Sequence, residues 1–146
     1  MRLTRIDDTL SVASQPTLAE IEALKDAGVT ALINNRPDGE EPGQPGTAAE
    51  AVAAASAGLA YHHLPVTGPT LGRAEIDAFR AAVKAAPGPV IAHCRSGTRS
   101  LTLHVLAAVL DGRMRRDEVL AFGTRHGFDL TGALAWLDAN APDTAG

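Results

Sequence analysis

The residues of this chain that are best suited to chemistry lie in one short segment around its only cysteine. Cys94 follows the apolar run 90–92, and four residues separate it from Arg99. One of those four is Gly97, which lets the backbone approach a ligand closely because it has no Cβ atom. Apolar residues then continue at helical spacing. The pattern predicts a strand that delivers Cys94 into a tight loop, followed by a buried helix over 100–110.

This position favours a nucleophilic cysteine. Backbone N–H groups in such a loop form an anion-binding nest, and the N-terminus of the next helix adds partial positive charge. Both stabilise a thiolate, which we expect to lie at the mouth of the loop, open to solvent. Arg99 offers a planar fork of donors that matches a tetrahedral oxyanion. The alternative is that Cys94 is a small core residue, but its position at a strand-to-helix turn favours the functional interpretation.

The neighbouring polar residues are predicted to bind substrate. Ser100 has two candidate roles, a hydrogen bond to the thiolate or a helix cap, and we favour the first. Arg36 follows another predicted strand and either reaches the same ligand or pairs with Asp38 or Glu40; both possibilities are open. The predicted catalytic pair is Cys94 and Arg99. The predicted substrate contacts come from Arg95, Ser96, Gly97, Thr98, Ser100 and Arg36.

Composition and charge exclude several other classes of protein. The chain has 146 residues and a net charge of −4, so no general basic field holds nucleic acid or an anionic membrane. A single cysteine forms no internal disulfide. The N-terminus lacks the apolar core of a signal peptide, and the apolar run 101–110 is far shorter than the ~20 residues that cross a bilayer. We therefore expect a cytoplasmic protein.

The histidines do not predict a metal site. The chain has five of them, and they are scattered along the sequence. His62 and His63 are adjacent on a predicted strand, so their side chains face opposite sides and cannot chelate one ion together. We expect no metal and no other cofactor.

Helices and strands alternate along the chain, with glycine and proline at the junctions. Thr17 and Glu20 have the spacing of a capping box. Strands are predicted at 29–33, 59–64 and 90–92, and a long loop over 34–46. Helices are predicted at 18–27, 47–57, 71–86, 100–110, 117–122 and 131–139. The pattern predicts a single α/β domain over 1–146, with a mainly parallel central sheet flanked by helices and a frayed tail over 141–146.

Longer segments carry a resemblance to known families. The loop itself is similar to the cysteine loops of protein tyrosine and dual-specificity phosphatases and of rhodaneses. The closer resemblance, over about 3–110, is to the β-lactamase-hydrolase-like (Blh) phosphatase-like domain, which is also catalogued as a sulfur transferase family. It rests on the segments 14–17, 28–45, 61–66 and 93–100.

The resemblance has three implications. It implies a dual-specificity-phosphatase-like α/β fold. It implies that His93 supports the loop through hydrogen bonds while facing away from the ligand. It also implies a partner, a metallo-β-lactamase-fold persulfide oxidase that is joined to the domain or encoded beside it. This chain carries no such metal-binding motif, so we expect that partner to be separate.

Two departures from the phosphatase pattern favour sulfur transfer. Phosphatases of this class place five residues between the cysteine and the arginine, whereas this loop has four and carries Ser100 at the phosphatase arginine position. The stretch 66–72, where a dual-specificity phosphatase keeps its acid, contains no carboxylate. An alkoxide leaving group needs a proton, whereas sulfite leaves without one. The leading hypothesis is a sulfurtransferase that moves sulfur from thiosulfate or a persulfide donor to a thiol such as glutathione through a Cys94 persulfide.

Two other functions stay open. The first is a cysteine-dependent tyrosine or dual-specificity phosphatase that takes its acid from Asp38, Glu40 or Glu41. The second is a non-catalytic module that binds an anion or senses redox state.

Overall fold

The chain folds around one five-stranded sheet. In a computed structural model that describes residues 1–144, the order of the strands across the sheet is β1-β2-β5-β3-β4. β1 pairs antiparallel with β2, and the other three pairings are parallel. The predicted α/β architecture with a mainly parallel sheet is therefore confirmed. The strands are β1 (Leu3–Arg5), β2 (Leu10–Ala13), β3 (Ala31–Asn34), β4 (Ala60–His63) and β5 (Val90–His93).

Six helices flank the sheet within the described residues. Thr17 caps the first of them: its hydroxyl accepts from the Glu20 N–H at 3.1 Å, and the Glu20 carboxylate accepts from the Thr17 N–H at 2.9 Å. The predicted capping box is confirmed. The helices are α1 (Leu18–Ala23), α2 (Thr47–Ser56), α3 (Arg73–Ala85), α4 (Thr98–Leu110), α5 (Val119–Arg125) and α6 (Thr131–Asn140).

The core lies on both faces of the sheet. Leu32 and Ile91 point to the face that α1 and α2 cover, whereas their neighbours Ile33 and Ala92 point to the face covered by α3, α4 and α6. Side chains alternate in this way because successive residues of a strand face opposite sides. The two central strands, β3 and β5, are thus buried on both faces, which explains their continuous apolar sequences.

The carboxyl ends of the parallel strands form one row. Ala13, His93, Asn34 and His63 are neighbours across β2, β5, β3 and β4. Ligands of open α/β sheets bind beyond such a row. The residue that follows β5 is Cys94, so the sheet places the cysteine at its ligand-binding edge.

The N-terminal hairpin is the main element that the sequence analysis did not predict. β1 and β2 are three and four residues long. Only Leu10, Val12 and Ala13 are deeply buried there, so the apolar pattern is too short to detect. Three helix starts also differ: α3 begins at Arg73 instead of 71, α4 at Thr98 instead of 100, and α5 at Val119 instead of 117.

The C-terminal end packs on the core as far as it is described. Ala141 is buried, and the Thr144 hydroxyl donates to the Ala141 carbonyl at 2.8 Å. Of the predicted frayed tail over 141–146, residues 145 and 146 lie outside the described range. No helix within residues 1–144 is long and apolar enough to cross a membrane.

Candidate functional site

The predicted cysteine loop connects β5 to α4. Cys94 follows His93, the last residue of β5, and α4 begins at Thr98. Gly97 caps that helix with a φ of 101°, in the left-handed region that glycine tolerates. A Cβ atom at Gly97 would also lie 3.2 Å from the Phe128 ring. Both the backbone conformation and the available space therefore favour glycine here.

The thiol lies inside this turn. The Gly97 N–H donates to Cys94 Sγ at a nitrogen–sulfur distance of 3.0 Å. The N-terminus of α4 starts behind the sulfur, so its partial positive charge acts in the same direction. The loop backbone is anchored to its neighbours, because the Cys94 N–H donates to the Ala13 carbonyl and the Gln15 N–H donates to the Arg95 carbonyl. The arrangement has the geometry of a small anion-binding turn.

Arg99 stands next to the sulfur and is held by a carboxylate. Its two terminal nitrogens donate to the two oxygens of Glu40 at 2.8 and 2.9 Å, and one of them also donates to the Val66 carbonyl at 3.1 Å. The hydrogen bonds to Glu40 raise the pKa of Arg99, burial opposes that rise, and the charge of Cys94 and a hydrogen bond to it add to the rise. Arg99 is therefore a fixed cation shared between the sulfur and Glu40.

The loop over 35–46 brings acidic residues to this arginine. Glu40 also accepts from Arg36 Nε at 2.9 Å, and Glu41 pairs with Arg95 at 2.7 Å. The hydrogen bonds from Arg99, followed by those from Arg36, lower the pKa of Glu40 from 4.5 to about 2 against the opposing effect of burial. Glu40 is thus a carboxylate at neutral pH. We call Arg36, Glu40, Glu41, Arg95 and Arg99 the outer charge cluster.

The sequence left two roles open for Arg36, contact with the ligand and pairing with Asp38 or Glu40, and the structure shows the pairing. Its side chain is buried, and it bonds Glu40 rather than Asp38. Its Nη1 donates to Gln15 Oε1 at 3.0 Å, and its carbonyl oxygen lies 2.9 Å from His63 Nε2. Asp38 instead accepts from the first N–H of α2. A direct contact of Arg36 with substrate stays a prediction.

The accessibility of the thiol differs from the expectation. Cys94 is only 1% exposed, whereas the sequence hypothesis places its sulfur open to solvent at the mouth of the loop. The neighbouring Arg99 and Glu40 side chains are each 27% exposed. The sulfur is therefore less accessible than the side chains of the neighbouring Arg99–Glu40 pair.

A second polar group lies beneath the loop. His93 is fully buried, with its Nδ1 3.2 Å from the Cys94 carbonyl oxygen and its Nε2 2.7 Å from Glu50 Oε1. The other oxygen of Glu50 accepts from Gln15 Nε2 at 2.9 Å. The Tyr61 hydroxyl lies 3.5 Å from Glu50 Oε1. We call Gln15, Glu50, Tyr61 and His93 the inner polar network.

Ser100 does not contact the sulfur in this structure. Its buried hydroxyl donates to Asn35 Oδ1 at 2.8 Å, and a hydroxyl has one proton to donate. The predicted bond to the thiolate is therefore not seen. Of the other predicted contacts, Ser96 and Thr98 lie within 3.2 Å of each other through their hydroxyls, and Arg95 points to Glu41. Substrate binding by these residues stays a prediction.

Sequence reasoning missed Glu50 and Gln15. A signal for Glu50 exists in the sequence: it is the only charged residue of the Ala-rich helix α2, and it lies among apolar residues that pack on the sheet. Gln15 falls within the segment 14–17 that carries the family resemblance, but nothing in its local sequence indicates its partners. Both residues acquire their roles through contacts with residues distant in sequence.

The site contains a nucleophile and cations but no evident proton donor beside Arg99. The stretch 66–72, which contacts Arg99 through Val66, has no carboxylate. Glu40 is close, but its lowered pKa keeps it ionised. Within residues 1–144, no group of three or more His, Cys, Asp or Glu side chains is placed to hold a metal ion. The arrangement places a thiol beside an anion-binding turn and a fixed cation.

Sequence comparisons identify relatives along most of the chain. A family described as "Beta-lactamase hydrolase-like protein, phosphatase-like domain" matches residues 2–111. A β-lactamase hydrolase-like protein of Agrobacterium fabrum is 49% identical over 138 residues, which is 94% of this chain and 32% of that relative. A protein of the same description from Xylella fastidiosa is 48% identical over 144 residues, 99% of this chain and 33% of its own length. The chain thus spans about a third of the length of these relatives.

Solved structures confirm the phosphatase-like fold. A Neisseria meningitidis protein provisionally assigned as a phosphatase is 32% identical, with a TM-score of 0.83 over 95% of this chain and 98% of its own. TpbA of P. aeruginosa is 19% identical, with a TM-score of 0.73 over 97% and 86% of the two chains, and that likeness concerns the fold alone. These descriptions favour the phosphatase alternative over the sulfurtransferase and contain nothing on sulfur transfer.

Proposed function

The chain belongs to the family of β-lactamase hydrolase-like phosphatase-like domains, and we propose that the chain is a cysteine-dependent sulfurtransferase with its active site in the cysteine loop. The observation that carries the proposal is the short loop, in which the Gly97 N–H reaches Cys94 Sγ only three residues away and Arg99 follows after four. No carboxylic acid is available beside Arg99 to protonate an alkoxide. Sulfur transfer requires no such acid.

The first half-reaction breaks the S–S bond of the donor. The Cys94 thiolate attacks the outer sulfur of thiosulfate, a new S–S bond forms, and sulfite leaves with the electron pair of the old bond. Cys94 then carries a persulfide anion, and the charge of −3 on thiolate plus thiosulfate equals the charge on persulfide plus sulfite. Arg99 balances the sulfonate charge, and the Gly97 N–H donates to the sulfur anion.

The second half-reaction returns the cysteine. An acceptor thiol such as glutathione takes the outer sulfur from the Cys94 persulfide, so one S–S bond breaks and another forms. The acceptor leaves as a persulfide with its proton, and the Cys94 thiolate is restored. Two separate half-reactions with a covalent intermediate give ping-pong kinetics.

Substrate entry follows from the buried thiol. The sulfonate competes with the Glu40 carboxylate for the two terminal nitrogens of Arg99, since both anions bind the same fork of donors. Displaced Glu40 retains Arg36 as a partner through Nε. We infer that an anionic donor opens the site by replacing Glu40 on Arg99.

The second candidate is a phosphatase with a phosphocysteine intermediate, and the descriptions of its relatives favour it. Its acid would have to come from the outer charge cluster. Glu40 is unsuitable because of its low pKa, and Asp38 bonds the start of α2. Glu41, which is partly exposed beside Arg95, is the better candidate for that proton.

Matched assays separate the two reactions. We would measure initial rates with thiosulfate plus glutathione and with an aryl phosphate, at equal enzyme concentration, for wild type, Cys94→Ser and Glu41→Gln. Glu22→Gln is the control for the second variant, because it makes the same chemical change at an exposed position of α1. The proposal expects sulfur transfer that Cys94→Ser abolishes and that neither glutamate variant reduces.

Cys94-dependent turnover of the aryl phosphate that Glu41→Gln reduces, together with no sulfur transfer, would instead assign the phosphatase reaction. Anion binding without turnover of either substrate would assign the non-catalytic module. A cytoplasmic location stays a prediction. A partnership with a metallo-β-lactamase-fold persulfide oxidase also stays a prediction, and it is worth testing because this chain spans only about a third of the length of its curated relatives.

A further inference from the structure

The inner polar network has a hydrogen-bonding pattern that defines where its protons lie. Arg36 has only N–H groups to offer, so the Gln15 atom that it contacts at 3.0 Å is the amide oxygen. The amide nitrogen of Gln15 therefore faces Glu50 Oε2, at 2.9 Å. Because Arg36 fixes the orientation of Gln15, Glu50 receives a donor on this oxygen.

The other oxygen of Glu50 contacts the His93 ring. His93 Nε2 lies 2.7 Å from Oε1. The Tyr61 hydroxyl lies farther from this oxygen, at 3.5 Å, and is 3.1 Å from Thr47 Oγ1. Both oxygens of Glu50 are therefore engaged, Oε2 by Gln15 and Oε1 by His93.

The opposite edge of the His93 ring faces an acceptor as well. Nδ1 lies 3.2 Å from the Cys94 carbonyl oxygen, and a carbonyl has no proton to give. Nδ1 must therefore carry a hydrogen for this bond to form. Nε2, on the other edge of the ring, lies against Glu50 Oε1, so this contact fixes the rotation of the ring that aims Nδ1 at the carbonyl.

We propose that Glu50 is a positioning residue of the cysteine loop, whose carboxyl group holds the buried His93 ring so that Nδ1–H donates to the Cys94 carbonyl. The inference rests on the proposed function only in assuming that Cys94 is the nucleophile. His93 and Glu50 are 0% and 1% exposed. Buried polar groups need hydrogen-bond partners, and Gln15 supplies the remaining one for Glu50.

The pair acts on the sulfur through the loop backbone. The Nδ1–H bond turns the Cys94 carbonyl toward the protein interior, which leaves the amides that follow free to face an anion. The charged and titratable groups around the Glu50–His93 pair are Tyr61 of β4, Cys94 and Arg99 on the side of the loop, and Arg36, which is linked to Glu50 by Gln15.

Nitrogen NMR of the intact chain tests the protonation directly. With ¹⁵N-labelled histidine, Nδ1 of His93 should carry a proton in the wild-type protein, and the His93→Asn variant assigns the signals of this ring among the five histidines. In Glu50→Gln, the hydrogen bond from Nδ1 should weaken and its ¹⁵N chemical shift should change. A wild-type His93 whose Nδ1 carries no proton would overturn the proposal, and this measurement does not depend on the folding of Glu50→Gln.

Alkylation of Cys94 by iodoacetamide over a range of pH tests the effect on the loop. The midpoint of the rate profile should move to higher pH by about one unit in Glu50→Gln, equivalent to about a tenfold slower reaction at low pH, because a hydrogen bond to a charged group is lost. Gln15→Leu should shift the midpoint in the same direction. Glu22→Gln, an exposed matched control, should not.

A folded Glu50→Gln protein with an unchanged midpoint would contradict the positioning role. That failure is distinguishable from failure of the proposed function. Alkylation and histidine protonation do not involve thiosulfate, whereas the sulfurtransferase proposal fails if the wild-type protein forms no persulfide.

Discussion

Two acid–base pairs flank the cysteine, one on each side, and they differ mainly in burial. Beneath the loop, His93 and Glu50 are 0% and 1% exposed and meet at 2.7 Å. Above it, Arg99 and Glu40 are each 27% exposed and meet at 2.8 Å. The distances are nearly the same, but water competes only for the second pair. The inner pair is therefore fixed with the fold, whereas the proposed function requires the outer pair to exchange with an incoming anion.

The elements that carry the two pairs explain this difference. Glu50 lies on α2, which packs on the sheet, and His93 ends the central strand β5. Glu40 lies in the loop over 35–46, which contains three prolines and three glycines between 37 and 46. A loop segment can move without disturbing the sheet. The proposed function thus predicts a rigid support for the nucleophile beneath the loop and an exchangeable ion pair beside it.

The largest expected effect concerns the outer cation. Arg99→Ala should lower kcat/KM for thiosulfate by about 100-fold, because a charged donor to the reacting anion is lost. Arg95→Ala removes a more exposed arginine of the same cluster and should cost less than about threefold. Steady-state kinetics on both variants measures the contrast. Equal losses would show that Arg99 contributes only general positive charge.

The free energy of unfolding should depend more on the inner pair than on the outer pair, which is the opposite of the order expected for activity. Glu50→Ala leaves His93 buried without its partner, which should lower the free energy of unfolding by about 3 kcal/mol. Glu40→Ala breaks the partly exposed pair with Arg99, and buried Arg36 loses one partner but keeps Gln15, so the cost should be smaller, about 1–2 kcal/mol. Urea unfolding followed by circular dichroism provides both values. A larger loss for Glu40→Ala would reverse the assignment of the rigid and movable pairs.

The sequence predicted the parts of this site that depend on neighbours along the chain. The strand before Cys94, the tight turn at Gly97 and the following helix are local features, and the sheet order then places them at a ligand-binding edge. Glu50 reaches His93 across 43 residues, and no local pattern encodes that contact. The burial of Cys94 was missed for the same reason, because solvent exposure depends on how distant segments pack and not on the local sequence. The hydroxyl of Ser100 likewise turns to a distant residue, Asn35.

A smaller effect should follow from weakening the Arg99–Glu40 pair alone. Glu40→Gln keeps the shape of the side chain but removes the charge that competes with the donor for Arg99. We expect the KM for thiosulfate to fall by about threefold, the size of one partly exposed ion pair. Glu22→Gln is the matched control, at an exposed position outside the cluster. A rise in KM would mean that Glu40 orients Arg99 for substrate instead of competing with it.

The smallest effect is the pH dependence of that same pair. Folding lowers the pKa of Glu40 from 4.5 to about 2, chiefly through its hydrogen bonds with Arg99. The stability that this pair contributes is therefore fully present above pH 4.5 and is lost as the pH falls toward 2. The difference in Tm between wild type and Glu40→Gln should be constant above pH 5 and shrink below 4.5. A difference that changes between pH 6 and 8 would contradict this account.

Intact-mass spectrometry after thiosulfate treatment tests the central claim most directly, because it detects the sulfur that Cys94 is proposed to accept. The wild-type protein should gain one sulfur atom, which glutathione then removes, and Cys94→Ser should gain none. A wild-type protein that gains no sulfur under conditions in which iodoacetamide modifies Cys94 would contradict the proposed sulfur transfer.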